Sequence, residues 1–455
     1  MTIGHPFSST AVESASPYRA FGLNNFRSIP QLRSLSETQM FEIEVVGHVL
    51  PFKTNSYVID ELINWESIAD DPIFALTFPQ REMLIQSHFE AVAFALRTGQ
   101  DKAHLRKLCD EIRSQLNPHP SGQRERNIPR LKDGTILEGM QHKYPETVLF
   151  FPSQGQTCHA YCSFCFRWPQ FVGSPDMKFA MSEVLLLVQY LREHPEVTDV
   201  LFTGGDPMVM SAKLLHGYIS SLLKADLPHL KTIRIGSKAL SYWPYRFTTD
   251  PDAGLMLDLF REVEAYGKHL SFMAHFNHPR ELETEAAKQA IAAVRTTGAQ
   301  IRSQSPILAR INANPETWAT MWKEQVRLGI IPYYMFILRD TGAQRYFGVS
   351  LAEAHSIFKQ AYQTMSGIAR TVRGPVMSVD PGKIQLLGTE KVGNEDVMIM
   401  QFIQARNPEW NLRPFFTKLN MDALWLDDLV PAFGKELFFR EKEELEGHAI
   451  QKSAS

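Results

Sequence analysis

Cysteine is nearly absent, with four among 455 residues. Number and arrangement together exclude a disulfide framework. Cys158, Cys162 and Cys165 fall within eight residues, and Cys109 stands alone well before them. Three thiols so close cannot pair evenly; the set fits a reducing compartment and a metal- or cluster-binding loop. Charge of one sign is also lacking: 47 Lys and Arg face 50 Asp and Glu, a formal net charge of −3. That balance argues against a nucleic-acid binder working by bulk electrostatics. No apolar run approaches the roughly 18–20 residues of a spanning helix, so no membrane association is expected. Residues 1–18 hold neither Lys nor Arg and no hydrophobic block; no secretory signal is expected, and the expected location is cytoplasmic. Apolar material is plentiful. Hydrophobic residues make up 44% and charged residues 21%, ordinary for a folded globular chain and incompatible with wholesale disorder.

Residues 1–40 are rich in Ser, Pro and Asn without periodicity and read as a loosely ordered extension. Residues 41–134 read as a mostly helical region followed, from Asn117 to Gly134, by a linker. Strand and helix signals then alternate through 135–375. Apolar strand segments are expected at Val148–Phe151, Asp199–Thr203, Thr232–Ile235, Leu270–Ala274, Gln300–Gln304 and Pro332–Ile337. Helices between them carry start and stop signals: Ser182 and Thr284 as N-caps, Asn314-Pro315, and the capping-box pair Ser350 and Glu353. Gly267, Gly298 and Gly329 mark helix ends. Six strand–helix units imply an α/β fold with a parallel sheet, doubly wound or a partial barrel, whose functional residues gather at the C-terminal strand ends. The aromatic-rich residues 376–455 read as a segment packed on the barrel.

The cysteines follow the first of these strands as Cys158-x3-Cys162-x2-Cys165. Three thiolates from one loop can hold three irons of a [4Fe–4S] cube, leaving the fourth iron for a small molecule. The alternatives are a zinc site with His159 as fourth ligand or incidental thiols; adjacent ligands such as Cys158 and His159 share one ion poorly, and structural zinc usually shows two separated ligand pairs. After the second strand comes Thr203-Gly204-Gly205-Asp206-Pro207. Glycines permit close backbone approach, and the acid beside them can receive an ammonium.

These motifs resemble the S-adenosylmethionine (SAM) radical superfamily, and a further series resembles its lysine 2,3-aminomutase family. The series comprises Leu50-Pro-Phe, Tyr144-Pro145, Ile233-Arg-Ile-Gly236, His275-Phe-Asn-His278-Pro279, Gln304 with Leu308 and Asn312, and Pro332-Tyr-Tyr334. The resemblance implies a partial (βα)6 barrel, a SAM-derived 5′-deoxyadenosyl radical and hydrogen abstraction from a small amino-acid substrate. It also implies an external electron donor to reduce the cluster, and it leaves room for a homo-oligomer. Carried over by position, Cys158, Cys162 and Cys165 hold the cluster, and Gly204, Gly205 and Asp206 bind SAM. His275 and Gln304 line the SAM pocket, and Arg167 binds the substrate carboxylate, for which a guanidinium is apt. In the family, pyridoxal phosphate (PLP) is held by a lysine, here Lys383, and the amino group migrates from C2 to C3.

Several positions depart from that pattern. The glycine run before the lysine is missing from Ser378-Val-Asp380-Pro-Gly-Lys383, Thr147 stands where a phosphate-contacting arginine is expected, and Phe336 replaces a tyrosine. Asp380 matches one of two carboxylates that grip a distal ammonium, while the other falls on Arg339, or on Asp340 with a one-residue shift. An arginine there suits an acidic or amide side chain. No cysteine follows Cys165, so the family's C-terminal zinc ligands are absent. Three readings stand from the sequence: a PLP-dependent aminomutase, a PLP-independent epimerase, dehydrogenase or other hydrogen-abstracting enzyme, and a non-catalytic metal-binding protein.

Overall fold

The computed structural model describes residues 17–117, 126–173 and 180–439. In the N-terminal region β1 (Ala20–Gly22) pairs antiparallel with β2 (Lys53–Asn55). The other named strands form one sheet: β3 (Met140–Tyr144), β4 (Thr147–Phe150), β5 (Asp199–Phe202), β6 (Thr232–Ser237), β7 (His269–His275), β8 (Gln300–Pro306), β9 (Ile331–Phe336), β10 (Arg373–Ser378), β11 (Gly382–Val392), β12 (Glu395–Ala405) and β13 (Pro414–Lys418). Their spatial order is their sequence order. Strands β4 to β10 run parallel, whereas β3 at one edge and β11 to β13 at the other pair antiparallel.

The six expected strands are β4 to β9, each within two residues of its expected bounds, and each is followed by a helix. Local chemistry explains why. Thr284 accepts from Ala287 N–H, Asn314 from Glu316 and Thr317, and Ser350 from Glu353, satisfying N–H groups that the first helical turn leaves open. Gly267, Gly298 and Gly329 take φ of +71°, +95° and +77°, the left-handed closure expected of them. Ser182 does not cap its helix, which begins at Val184 without a side-chain cap bond.

Strand alternation sets the architecture. Parallel strands covered on both faces normally read as continuous apolar runs. Here Val200 and Phe202, Ile233 and Ile235, and Phe272 are fully buried on the face beneath the helices. Their neighbours Asp199 and Leu201, Arg234 and Gly236, and Met273 instead border an internal cavity. The sheet curls around this lumen. Tyr144 of β3 lies 4.5 Å from the Lys383 Nζ of β11, and Lys143 donates to the Val379 carbonyl beyond β10. The edge strand β3 thus meets the β10–β11 end of the sheet through side chains and not through backbone pairing.

Both flanks differ from the sequence expectation. Residues 1–16 lie outside the described residues, but from residue 17 the expected loose extension is packed, with Phe26, Ile29 and Leu32 buried. The region after it is helical at Glu37–Val49, Pro72–Thr77, Gln86–Arg97 and Lys102–Gln115, with β2 and single turns between. Of the expected linker, residues 118–125 lie outside the described residues. The C-terminal segment is not merely packed on the sheet: β11 to β13 extend it, and Phe402, Phe415 and Phe439 bury one another beside them. A seventh parallel strand, β10, also went unanticipated. Among the described residues no helix is long and apolar enough to cross a membrane.

The two faces of the parallel strands should respond unequally to truncation. Phe272→Ala removes a fully buried ring and is expected to cost about 3–5 kcal/mol. Leu149→Ala, whose side chain borders the lumen, should cost about 1 kcal/mol. Urea unfolding of the two variants measures the difference; equal losses would mean that the lumen is packed like the outer layer.

Candidate active site

The cysteine loop leaves β4 and is held from two sides. On the barrel side, Gly205 N–H donates to Gly155 O at 3.1 Å and Asp206 N–H to Thr157 O at 2.7 Å. Gly204 has φ +141°, and a Cβ there would meet the Gln156 side chain; a Cβ on Gly205 would strike the Thr157 backbone. The two glycines therefore serve the approach of one loop to another, a reason the sequence alone does not show. On the other side the N-terminal region closes over the loop. Tyr161 N–H donates to Lys53 O and Ser163 N–H to Leu76 O, both at 2.8 Å. Lys53 Nζ reaches Cys158 O at 2.7 Å, and Tyr18 Oη reaches His159 O at 2.9 Å.

All three cysteines of the loop are half-buried. Burial pushes Cys162 up to about 12 and raises Cys158 and Cys165 as well. Each has its own cationic neighbour drawing it back down: Lys53 for Cys158, Lys238 for Cys162 and Arg167 for Cys165. One cation per thiol suits a group that binds all three as thiolates. No three His, Cys, Asp or Glu side chains among the described residues converge as they would on a single ion. A cluster takes its thiolates on separate irons and needs no such convergence. His159, the alternative zinc ligand, packs edge-on against Tyr18 and is kept neutral by burial, with Arg246 and Lys53 adding to the effect.

Beside the loop, Asp206 is 3% exposed. It accepts from Met208 N–H and Lys238 N–H at 2.9 Å and from Ser237 Oγ at 3.1 Å. Burial raises its pKa to about 6 despite these bonds. A carboxylate has about four acceptor directions, so the turn it organises leaves room for one more donor. His275 ends β7 with its ring edge-on to Phe164 of the cysteine loop, 5.7 Å between centroids. Burial, then the Lys238 charge, keeps it neutral, and its Nε2 finds no partner.

Sequence reasoning missed Lys238, although its place directly after β6 was the available signal. Its buried ammonium donates to His275 O, Asn277 Oδ1 and Glu281 Oε1 at 3.2, 3.0 and 2.8 Å. Glu281 in turn receives Asn277 N–H. This network fixes the His275–Pro279 string from below and sets a positive charge beside Cys162.

The lumen is a cavity of about 330 Å³, within the range of small-molecule sites. Arg167, Gln304, Arg339, Asp380 and Lys383 all line it; Asp340 and His275 do not. Lys383 reaches it because the connection without the glycine run closes as a two-residue turn, Asp380–Pro381, with Val379 N–H donating to Gly382 O at 3.0 Å. That turn pairs Lys383 with Ser378. Lys383 Nζ donates to Gln404 Oε1 at 2.6 Å and lies over the rings of Tyr144 and Tyr334. Burial, then the charges of Arg234 and Arg373, lowers its pKa to about 7. Asp380, the position expected to face a distal ammonium, pairs with Arg126 at 2.7 Å and Arg406 at 3.0 Å. Thr147 belongs to a floor of hydrogen bonds with Asp199 and Arg234, and Phe336 stacks on Tyr334. Lys143, also missed from sequence, lines the lumen from β3.

No family model matches the chain. A protein of Aquifex aeolicus named "Putative L-lysine 2,3-aminomutase" is 31% identical over 417 residues, covering 91% of this chain and 96% of that one. The L-lysine 2,3-aminomutase of Acetoanaerobium sticklandii is 30% identical over 233 residues, 51% of this chain and 52% of its own. A solved radical SAM methyltransferase from Sphaerobacter thermophilus aligns with a TM-score of 0.37 at 16% identity, over 55% of this chain and 72% of that one. Near-complete coverage by the Aquifex protein agrees with the cysteine loop, the Gly204–Asp206 turn and the β4–β9 units, and the chain belongs to the lysine 2,3-aminomutase family of radical-SAM enzymes.

Proposed function

We propose that this radical-SAM enzyme moves the amino group of a free amino acid or small amino-acid derivative between C2 and C3, with PLP held on Lys383. The family implies a [4Fe–4S] cluster and SAM. In the proposal Cys158, Cys162 and Cys165 ligate the cluster, with Lys53, Lys238 and Arg167 offsetting the thiolate charge. Gly204, Gly205 and Asp206 border the SAM site, with His275 and Gln304 on its barrel side. Reduced cluster and SAM supply the radical that abstracts substrate hydrogen, and PLP supplies a carbonyl to which amines attach.

The observation that carries the PLP assignment is Lys383 itself. Its amine projects into the lumen, and near pH 7 a large fraction is unprotonated, the form that attacks a carbonyl. Gln404 holds it in one direction, and Tyr144 and Tyr334 flank it with apolar faces. Arg167 lines the same cavity and is assigned to the substrate carboxylate. Thr147 and Phe336 favour the second reading, a PLP-free epimerase, dehydrogenase or other hydrogen-abstracting enzyme, since neither supplies a cofactor contact expected of the family.

Anaerobic reconstitution is expected to give about four iron and four sulfide per chain and, on reduction, 5′-deoxyadenosine from SAM. Cys162→Ala should lose both; an intact cluster in that variant would overturn the ligand assignment. With PLP added, a lysine-imine absorption band should form and be lost in Lys383→Ala. The folded pKa lies below the ordinary lysine value, so the reactive amine is gained as pH rises through about 7. Imine formation should therefore reach half-maximum near pH 7, and a midpoint above pH 9 would contradict the assignment. Absence of any band, with 5′-deoxyadenosine still formed, selects the PLP-free reading.

A further inference from the structure

Reduction of a [4Fe–4S] cluster adds one electron and no proton, so one more negative charge is spread over its sulfurs. Hydrogen bonds to those sulfurs stabilise the reduced form and raise the potential. Near Cys162, the three donors of the Lys238 ammonium are all spent, on His275 O, Asn277 Oδ1 and Glu281 Oε1. Lys238 therefore acts on Cys162 through its charge and has no N–H left to give it. The neighbour that can donate is Tyr242.

Tyr242 ends the short helix Ala239–Tyr242 and is 1% exposed. Three contacts fix it. Its N–H donates to Lys238 O at 2.9 Å, its carbonyl accepts from Asn55 Nδ2 at 2.9 Å, and the Lys238 ammonium lies 4.2 Å from its ring centroid. The same Asn55 amide reaches His159 O at 3.3 Å, which ties Tyr242 to the cysteine loop. No oxygen or nitrogen satisfies the buried hydroxyl, a costly state for a polar group. It adjoins the Cys162 side chain, whose thiolate it favours. Burial, then the Cys162 charge, keeps the phenol itself protonated. An ionised Cys162 supplies the acceptor that this donor lacks.

Resting on the proposed cluster ligands, we infer that the Tyr242 hydroxyl donates to the Cys162 thiolate and raises the reduction potential of the [4Fe–4S] cluster. A one-electron donor then reduces the cluster more readily. Tyr242 acts through Cys162 and is a positioning residue, not a ligand.

EPR-monitored redox titration of the reconstituted protein, without SAM, tests the assignment. Tyr242→Phe keeps the ring and removes the hydroxyl. The variant is expected to hold about four iron per chain, to bind SAM with unchanged affinity and to titrate at a more negative midpoint potential. An unchanged or more positive midpoint overturns the inference. So does loss of iron from a folded variant, which would make the hydroxyl a prop of the loop. A shift confined to the SAM-bound protein also overturns it, because the partner of the hydroxyl is then SAM. If Tyr242→Phe does not fold, 3-fluorotyrosine placed at position 242, a stronger donor, should move the midpoint positive; no shift or a negative one refutes the inference. Failure of the underlying reading looks different: no cluster forms in the unsubstituted protein, or Cys162→Ala retains it intact.

Discussion

The site depends on one close approach, that of the Thr203–Asp206 turn to the cysteine loop. Two backbone hydrogen bonds, from Gly205 to Gly155 and from Asp206 to Thr157, draw the loops together to a separation that no Cβ at either glycine would tolerate without displacement. Asp206 is then buried with three donors around its carboxylate, which ties the cysteine loop to the end of β6. Lys53 and Leu76 fix the opposite side of the loop through its backbone. Three thiols on a free loop would separate through their own repulsion as they ionised. Clamping between two backbones and three neighbouring cations oppose that separation.

The second constraint is the period of the strands. Because the helices cover the outer face completely, every second residue must be apolar, and the residues between are free to carry chemistry. That freedom has a cost in desolvation, visible where the polar side chains have paired. Arg234 binds Asp199, Lys238 binds Glu281, and Asp380 binds two arginines.

Much of the parallel sheet was legible in the sequence because its signals are local. Thr284, Asn314 and Ser350 cap where their residue type says they should, and three glycines close helices in the left-handed region. The cysteine spacing is also local. Strands β11 and β12 were missed although Gly393, at φ +62°, and Asn394 between two alternating runs gave a hairpin signal. The pairing of Asp380 with Arg126 and Arg406 had no such signal. Arg406 follows β12, which pairs with β11 beside Asp380, whereas Arg126, 254 positions away, meets Asp380 because the sheet curls, and no short-range pattern encodes that curl. Lys143 and Lys238 were overlooked for a related reason: surface and buried lysines look alike until the burial of their neighbours is known.

Register accounts for how Lys383 reaches the lumen without the glycine run before it. In an antiparallel pair, directly opposed residues project from the same face, and a slip of one residue sends every side chain to the other. Lys383 opposes Ser378, and both border the cavity. The turn is held at two residues by Arg126 and Arg406 on Asp380 and by the close approach of Gly382 to the β12 backbone, where a Cβ would collide with Gln404. A longer or shorter connection of the wrong parity would direct the amine away from the lumen. Direction is therefore preserved by strand pairing, and the loop's glycine content affects only how the backbone around the amine can approach a ligand.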